Sequence, residues 1–119
     1  MIKVTVLYPR TPGSKFDFDY YLKTHMPLSI ARLGMAMDAI TVERVLDPGP
    51  PWPPPAYVAI CSFVCESREA YEAAFIPHMA ELQADMANYT DVEQVVLISD
   101  VVIDHRHKCA AQGPNQGEL

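Results

Sequence analysis

The chain has 119 residues, a formal net charge of −6 and 50% hydrophobic residues, which is typical of one globular domain. No apolar run approaches the roughly 20 residues of a membrane helix, and the acidic balance disfavours binding to nucleic acid or to an anionic membrane. The chain enters a strand pattern without a signal-peptide core, and its three cysteines lack metal-ligand spacing, so we expect a cytoplasmic protein.

The first half of the chain predicts a strand, a helix and a second strand. Residues 2–8 are rich in β-branched and apolar side chains and predict the first strand. Asp17 can cap the helix that follows. A second strand is predicted over residues 40–46. The apolar stripe of the helix follows the i, i+3, i+4, i+7 pattern with Phe18, Tyr21, Leu22 and His25.

Pro27 interrupts this first helix. It has no N–H to donate to the carbonyl of Lys23, and it disfavours helical geometry at Met26. We therefore expect a kink or a restart at residues 26–27. The helix is expected to continue over residues 28–33, with Gly34 ending it.

A proline-rich segment at residues 48–55 cannot form a helix or a central strand. It predicts a stiff surface connection, in which Trp52 covers an apolar edge. A ligand for a proline-recognition domain is the alternative. Because the segment joins two predicted strands within a small domain, the connection is the favoured interpretation.

The second half repeats the pattern of the first. Residues 57–65 predict a third strand and residues 93–102 a fourth, both apolar. Between them, Ser67 can cap a second helix that Pro77 breaks and Asn88 ends. The apolar stripe of this helix comprises Tyr71, Ala74, Phe75, His78 and Leu82.

The two halves can be aligned with each other so that His25 matches His78 and Met26 matches Met79. Two strand–helix–strand halves are what a split β-α-β fold requires. The predicted class is therefore α+β: a ferredoxin-like, four-stranded antiparallel sheet with both helices on one face. Residues 1–102 form this domain, and residues 103–119 form a polar C-terminal tail.

The predicted sheet is apolar on both faces, whereas two helices cover only one of them. The uncovered face would exceed the few hundred Å² of apolar surface that a monomer normally exposes. A second copy, packed sheet against sheet about a two-fold axis, would cover it. We therefore expect a homodimer.

Several segments resemble the EthD family. The opening segments are residues 3–9 and 16–28, which include a Tyr-(x)3-His-Met-Pro element at 21–27; residues 54–59, 75–78 and 88–93 extend the similarity. The family takes its name from a gene cluster for ethyl tert-butyl ether breakdown that includes a monooxygenase system. The resemblance implies a dimeric α+β barrel, whose relatives by fold include cofactor-free monooxygenases, isomerases and haem-degrading enzymes.

His25 is the principal candidate for catalysis, because a histidine can transfer a proton near neutral pH. Tyr21, one turn earlier, could orient a substrate oxygen, and His78 is a candidate for a second catalytic group. The alternative is that His25 only satisfies the carbonyl of Lys23 that Pro27 leaves free. The predicted substrate-binding residues are Phe18, Leu22, Tyr71 and Phe75.

Three functions remain open from the sequence. The first is an oxygenase-associated protein of catabolism or secondary metabolism that binds a small apolar or aromatic molecule between helices and sheet, with His25 as acid and base. The second is a cofactor-free isomerase, cyclase or decarboxylase using the same pocket, and the third is a non-catalytic binding module. No nucleotide motif is present, so we expect no cofactor. His105, His107 and Cys109 in the tail do not have the spacing of a folded zinc site, so we expect no metal.

Overall fold

The computed structural model describes residues 1–106 and contains one four-stranded antiparallel sheet. Its strands are β1 (Ile2–Pro9), β2 (Ala39–Arg44), β3 (Tyr57–Cys65) and β4 (Val95–Asp100). They lie in the order β2-β3-β1-β4. Two helical segments, residues 18–36 and 68–88, complete the α+β, ferredoxin-like fold and confirm that prediction. Residues 107–119, most of the predicted tail, lie outside the described part.

The register of the sheet separates an inner face from an outer face. β1 pairs with β3 so that Val4 faces Phe63 and Val6 faces Cys61. Residues directly opposite one another in a ladder share a face, and these pairs lie on the buried side together with Ala59. This inner face packs against the helical segments and supplies the strand contribution to the core.

The first helical segment contains a widened turn. After α1 (Phe18–Tyr20), residues Tyr21–His25 form a π-helical turn in which the N–H of Met26 donates to the carbonyl of Tyr21. α2 (Met26–Leu33) then follows. A regular α-helix would bring the ring of Pro27 against the carbonyl four residues earlier, and widening the turn removes that clash.

Two details of the predicted first helix differ in the structure. The irregularity that we expected at residues 26–27 lies one turn earlier, because the hydrogen bonds that Pro27 disturbs belong to the preceding turn. The α-helix ends at Leu33 with Gly34 as its C-cap, as predicted, but the φ of Gly34 is −53° and the chain continues in a 3-10 turn over Gly34–Ala36.

The second helical segment is broken in a different way. Ser67 accepts a hydrogen bond from the N–H of Ala70 at 3.1 Å and caps α3 (Arg68–Phe75). At Pro77 the chain tightens into a 3-10 turn, Ile76–His78, before α4 (Met79–Asp85). The predicted break and the predicted Ser67 cap are both found.

The outer face of the sheet has no helix over it in the described chain. Leu7, Ile60 and Val64 are half-buried there, and Leu97 of the edge strand is 51% exposed. Trp52 in the proline-rich connection is 66% exposed, so the prediction that it covers an apolar edge is wrong for this chain. Within residues 1–106, no helix is long and apolar enough to cross a membrane.

Candidate active site

A cavity of about 80 Å³ lies between the helical segments and the inner face of the sheet. The sheet contributes apolar and aromatic walls, among them Val6, Tyr8 and Phe63. The helical segments contribute Met26, Leu33 and Leu82, together with polar groups. Among the polar or titratable residues of the lining are Tyr21, His25, Ser29, Cys61, Tyr71, Gln83 and Gln94.

His25 lies in the wall of this cavity at the end of the π-helical turn and is only 7% exposed. Its Nδ1 lies 2.9 Å from Oδ2 of Asp85, at the end of α4. An ionised carboxylate can only accept, so Nδ1 carries the proton of the neutral ring and Nε2 keeps its lone pair. No hydrogen bond to Nε2 is formed within residues 1–106. The ring is therefore oriented like a general base.

Asp85 is itself held by two further residues. The hydroxyl of Tyr20 donates to Oδ1 at 2.7 Å, and Nδ2 of Asn88 donates to the same oxygen at 3.0 Å. Burial alone would raise the pKa of Asp85, but the hydrogen bonds from Tyr20, His25 and Asn88 outweigh it and lower that pKa below its usual range. Asp85 consequently remains an acceptor for His25 at neutral pH.

Tyr21 lies one turn before His25, and its ring is fully buried. The two rings stack with centroids 5.7 Å apart and an interplanar angle of 15°. The hydroxyl of Tyr8 pairs with that of Tyr89 at 2.9 Å, whereas the hydroxyl of Tyr21 has no hydrogen-bond partner in the described chain. Burial raises the pKa of Tyr21, so the hydroxyl keeps its proton.

The partner of His25 differs from the one that the structural interpretation of this residue required. In that interpretation, His25 only satisfies the carbonyl of Lys23 left free by Pro27. In the structure its Nδ1 contacts the side chain of Asp85 instead. The π-helical turn has already rearranged the backbone hydrogen bonds around Pro27.

The structure brings some of the predicted site residues together and separates others. His25, Tyr21, Tyr71 and Phe75 line the cavity. Leu22 and Phe18 lie outside the lining. Leu22 is 45% exposed, and the ring of Phe18 packs under the guanidinium of Arg44, with 4.1 Å between Cζ of Arg44 and the ring centroid.

His78 also lies outside the cavity lining, although the alignment of the two halves of the sequence matches it with His25. A π-helical turn precedes α2, whereas a 3-10 turn precedes α4. These turns rotate the chain by different amounts per residue. The two histidines therefore do not occupy equivalent positions.

Sequence reasoning missed Asp85, Tyr20 and Asn88, which hold His25, and the hydroxyl pair of Tyr8 and Tyr89. A signal for Asp85 was present, because it extends the stripe of the second helix three residues beyond Leu82. An acidic residue on an apolar stripe needs a partner. No pattern in the sequence indicated that the partner is His25.

The cavity lining also includes the thiol of Cys61. Burial raises the pKa of Cys61 to about 11, so the thiolate is scarce at neutral pH. Within residues 1–106, no group of three or more His, Cys, Asp or Glu side chains is arranged to hold a metal ion. The dyad of His25 and Asp85 is the arrangement best suited to move a proton.

Comparison with known proteins bears on the family and the fold. The sequence model of the EthD domain matches residues 13–93. The chain is similar to the crystal structure of an EthD-like protein from Ralstonia eutropha JMP134, with 48% identity and a TM-score of 0.80 over 87% of this chain and 94% of that chain. These matches confirm the resemblance seen in the sequence. No match was found among curated proteins.

Two more distant structures share the fold. An EthD family protein from Bacillus halodurans C-125 is 21% identical, with a TM-score of 0.61, over 86% of this chain and 99% of that chain. An antibiotic biosynthesis monooxygenase is 14% identical, with a TM-score of 0.50, over 87% of this chain and 100% of that chain. At these identities the similarity describes the fold and not the chemistry.

Proposed function

This chain belongs to the EthD family, and we propose that it binds a small apolar or aromatic molecule in the cavity and transfers a proton there through His25. The observation that carries the proposal is the 2.9 Å contact between Nδ1 of His25 and Asp85. It leaves Nε2 as the basic atom of a ring in the cavity wall.

The surroundings of His25 favour proton transfer over a purely structural role. The carboxylate that orients the ring is held by Tyr20 and Asn88, so the imidazolium formed on taking a proton has a counter-ion in place. The aromatic walls suit an apolar substrate and limit access of water to the reacting atoms.

The biological setting that we propose is oxygenase-linked catabolism or secondary metabolism in the cytoplasm. Membership of the EthD family supports it, and the fold is shared with an antibiotic biosynthesis monooxygenase. A cofactor-free isomerase, cyclase or decarboxylase is the second candidate, and the His25–Asp85 dyad favours it because proton transfer alone drives many such reactions.

The working form that we propose is a homodimer joined through the outer face of the sheet. Leu97 and Val95 are exposed on this face, next to half-buried Leu7 and Ile60. Packing this face against a second copy would remove the apolar surface from water at roughly 25 cal/mol per Å². A two-fold axis allows the same patch to serve both subunits.

The test of the catalytic proposal is turnover of a panel of phenols and aromatic ketones by His25→Gln and the unchanged protein, with product and O₂ consumption both measured. We expect a loss of about 100-fold or more, since that is the usual contribution of a general acid–base group. Lys23→Gln is the matched control, because Lys23 lies in the same π-helical turn but is exposed. Equal turnover by the three proteins would contradict the proposal, and O₂ consumption distinguishes the two candidate functions.

A further inference from the structure

The hydroxyl of Tyr21 is a buried donor without an acceptor. Its side chain is completely buried, it lines the cavity, and its oxygen has no hydrogen-bond partner within residues 1–106. Nearly all buried polar groups in native proteins are hydrogen-bonded. An unpaired hydroxyl in a cavity wall is therefore expected to meet its acceptor on a bound molecule.

The neighbouring side chains do not supply that acceptor. The hydroxyl of Tyr8 is paired with that of Tyr89 at 2.9 Å, and neither it nor the thiol of Cys61, which is a weak acceptor, forms a hydrogen bond of normal geometry with the hydroxyl of Tyr21. Burial, followed by the nearby Tyr8 and Cys61, raises the pKa of Tyr21, so its hydroxyl remains a neutral donor across the physiological range. The complementary group on a ligand is an oxygen acceptor such as a carbonyl.

Tyr21 and His25 line the same cavity. They lie one turn apart on the π-helical turn, and their rings are nearly parallel with centroids 5.7 Å apart. One of them offers a hydrogen-bond donor and the other a lone pair on Nε2. A small molecule in the cavity can therefore lie beside both residues.

We propose that the substrate is a small carbonyl compound, whose oxygen accepts a hydrogen bond from Tyr21 and whose adjacent C–H faces Nε2 of His25. This inference rests on the proposed role of His25 as a base and narrows it to enolisation. A compact ketone fits the cavity of about 80 Å³ better than an extended aromatic polycycle does.

The step is balanced without an oxidant or a cofactor. The α C–H bond breaks, its proton goes to Nε2 of His25, and its electron pair forms the carbon–carbon double bond of the enolate. The π electrons of the carbonyl move to oxygen, where the hydrogen bond from Tyr21 strengthens as negative charge develops. Asp85 stabilises the imidazolium, and return of the proton to carbon restores the ketone or yields its isomer.

The binding experiment compares two probes of the same shape, cyclopentanone and methylenecyclopentane, by NMR titration. The unchanged protein should bind the ketone about five-fold more tightly, the usual value of one neutral hydrogen bond. Tyr21→Phe should abolish this preference and leave binding of the hydrocarbon unchanged. Tyr57→Phe, the same change at a tyrosine outside the cavity lining, should retain it. No preference for the ketone in the unchanged protein, or a preference that survives in Tyr21→Phe, would overturn the assignment of Tyr21.

A second measurement separates this inference from the proposed function. The unchanged protein should accelerate the exchange of the α protons of cyclopentanone in D₂O. The acceleration should be about 100-fold smaller with His25→Gln and intermediate with Tyr21→Phe. If no acceleration occurs while the ketone preference depends on Tyr21, the proposed role of His25 fails and carbonyl recognition stands. If exchange depends on His25 but not on Tyr21, the role of His25 stands and the inference fails.

Discussion

Nδ1 of His25 lies 2.9 Å from Oδ2 of Asp85, although the two residues are 60 positions apart in the chain. One ends the widened turn of the first helical segment, and the other ends α4 of the second. The contact therefore depends on how the two segments pack over the sheet. It joins the imidazole of His25 to a carboxylate that Tyr20 and Asn88 hold in place.

Replacing Asp85 by Asn should destabilise the protein in a pH-dependent way. The folded state lowers the pKa of this carboxyl, so its stabilising contribution is present above the ordinary pKa of 3.8 and is lost as the pH falls through the lower folded value. We expect Asp85→Asn to lose about 2 kcal/mol at pH 7, the usual value for hydrogen bonds to a charged group. The difference from the unchanged protein should shrink at pH 3.

Urea denaturation at the two pH values measures this difference. Asp19→Asn is the control, because Asp19 is an exposed carboxylate that pairs with Lys23 on the surface. It should change the free energy of unfolding little at either pH. An Asp85→Asn protein as stable as the unchanged one at pH 7 would show that the network around His25 does not contribute.

Replacing Tyr21 by Phe should leave stability unchanged or slightly increased. The hydroxyl that is removed has no partner in the described chain, so the folded state loses no hydrogen bond and no longer buries an unpaired polar group. Tyr8→Phe makes the same change at a paired hydroxyl and should cost about 1 to 2 kcal/mol, because it leaves Tyr89 without its partner. Guanidinium denaturation of both variants checks this, and a larger loss for Tyr21→Phe than for Tyr8→Phe would reverse the interpretation.

Placing a charge on the outer face of the sheet should dissociate the proposed dimer. Leu97→Lys puts a charge where two copies would meet, and burying it would cost several kcal/mol. Ile30→Lys is a matched control, since Ile30 is 45% exposed on α2 and lies on the helical side. Sedimentation velocity at micromolar concentration should show a dimer for the unchanged protein and Ile30→Lys, and a monomer for Leu97→Lys. A folded monomer in all three cases would exclude the dimer.

The buried thiols should resist alkylation in the folded protein. Burial raises the pKa of Cys61 to about 11, which leaves about one thiolate in a thousand at pH 8, and burial also raises the pKa of Cys65. Peptide mass spectrometry after a brief iodoacetamide pulse should find both unmodified in buffer and both modified in urea. Rapid labelling of Cys61 in buffer would show that the cavity admits the reagent and that its thiol is more acidic than its burial indicates.

Local patterns were sufficient to predict much of the fold. Residues 57–65 were predicted as a strand with the bounds that β3 has, because their β-branched and apolar side chains suit a sheet. The caps Asp17 and Ser67 were predicted from short-range hydrogen bonding, and Pro77 broke its helix because it lacks an N–H. The ends of β2 and β4 were less accurate, since strand ends depend on pairing partners that are distant in the sequence.

The sequence by itself determined the alternation of strands and helices, the presence of a proline-induced irregularity in each helical segment, and the presence of His25 and Tyr21 on one apolar stripe. These follow from the periodicity of side chains and from the chemistry of proline, which act over a few residues. Tertiary structure alone decided that Asp85 orients His25, that His78 lies apart from the cavity, and that the Tyr21 hydroxyl has no partner in the described chain. These relationships depend on the packing of two helical segments against a sheet, where ångström shifts determine whether polar atoms meet.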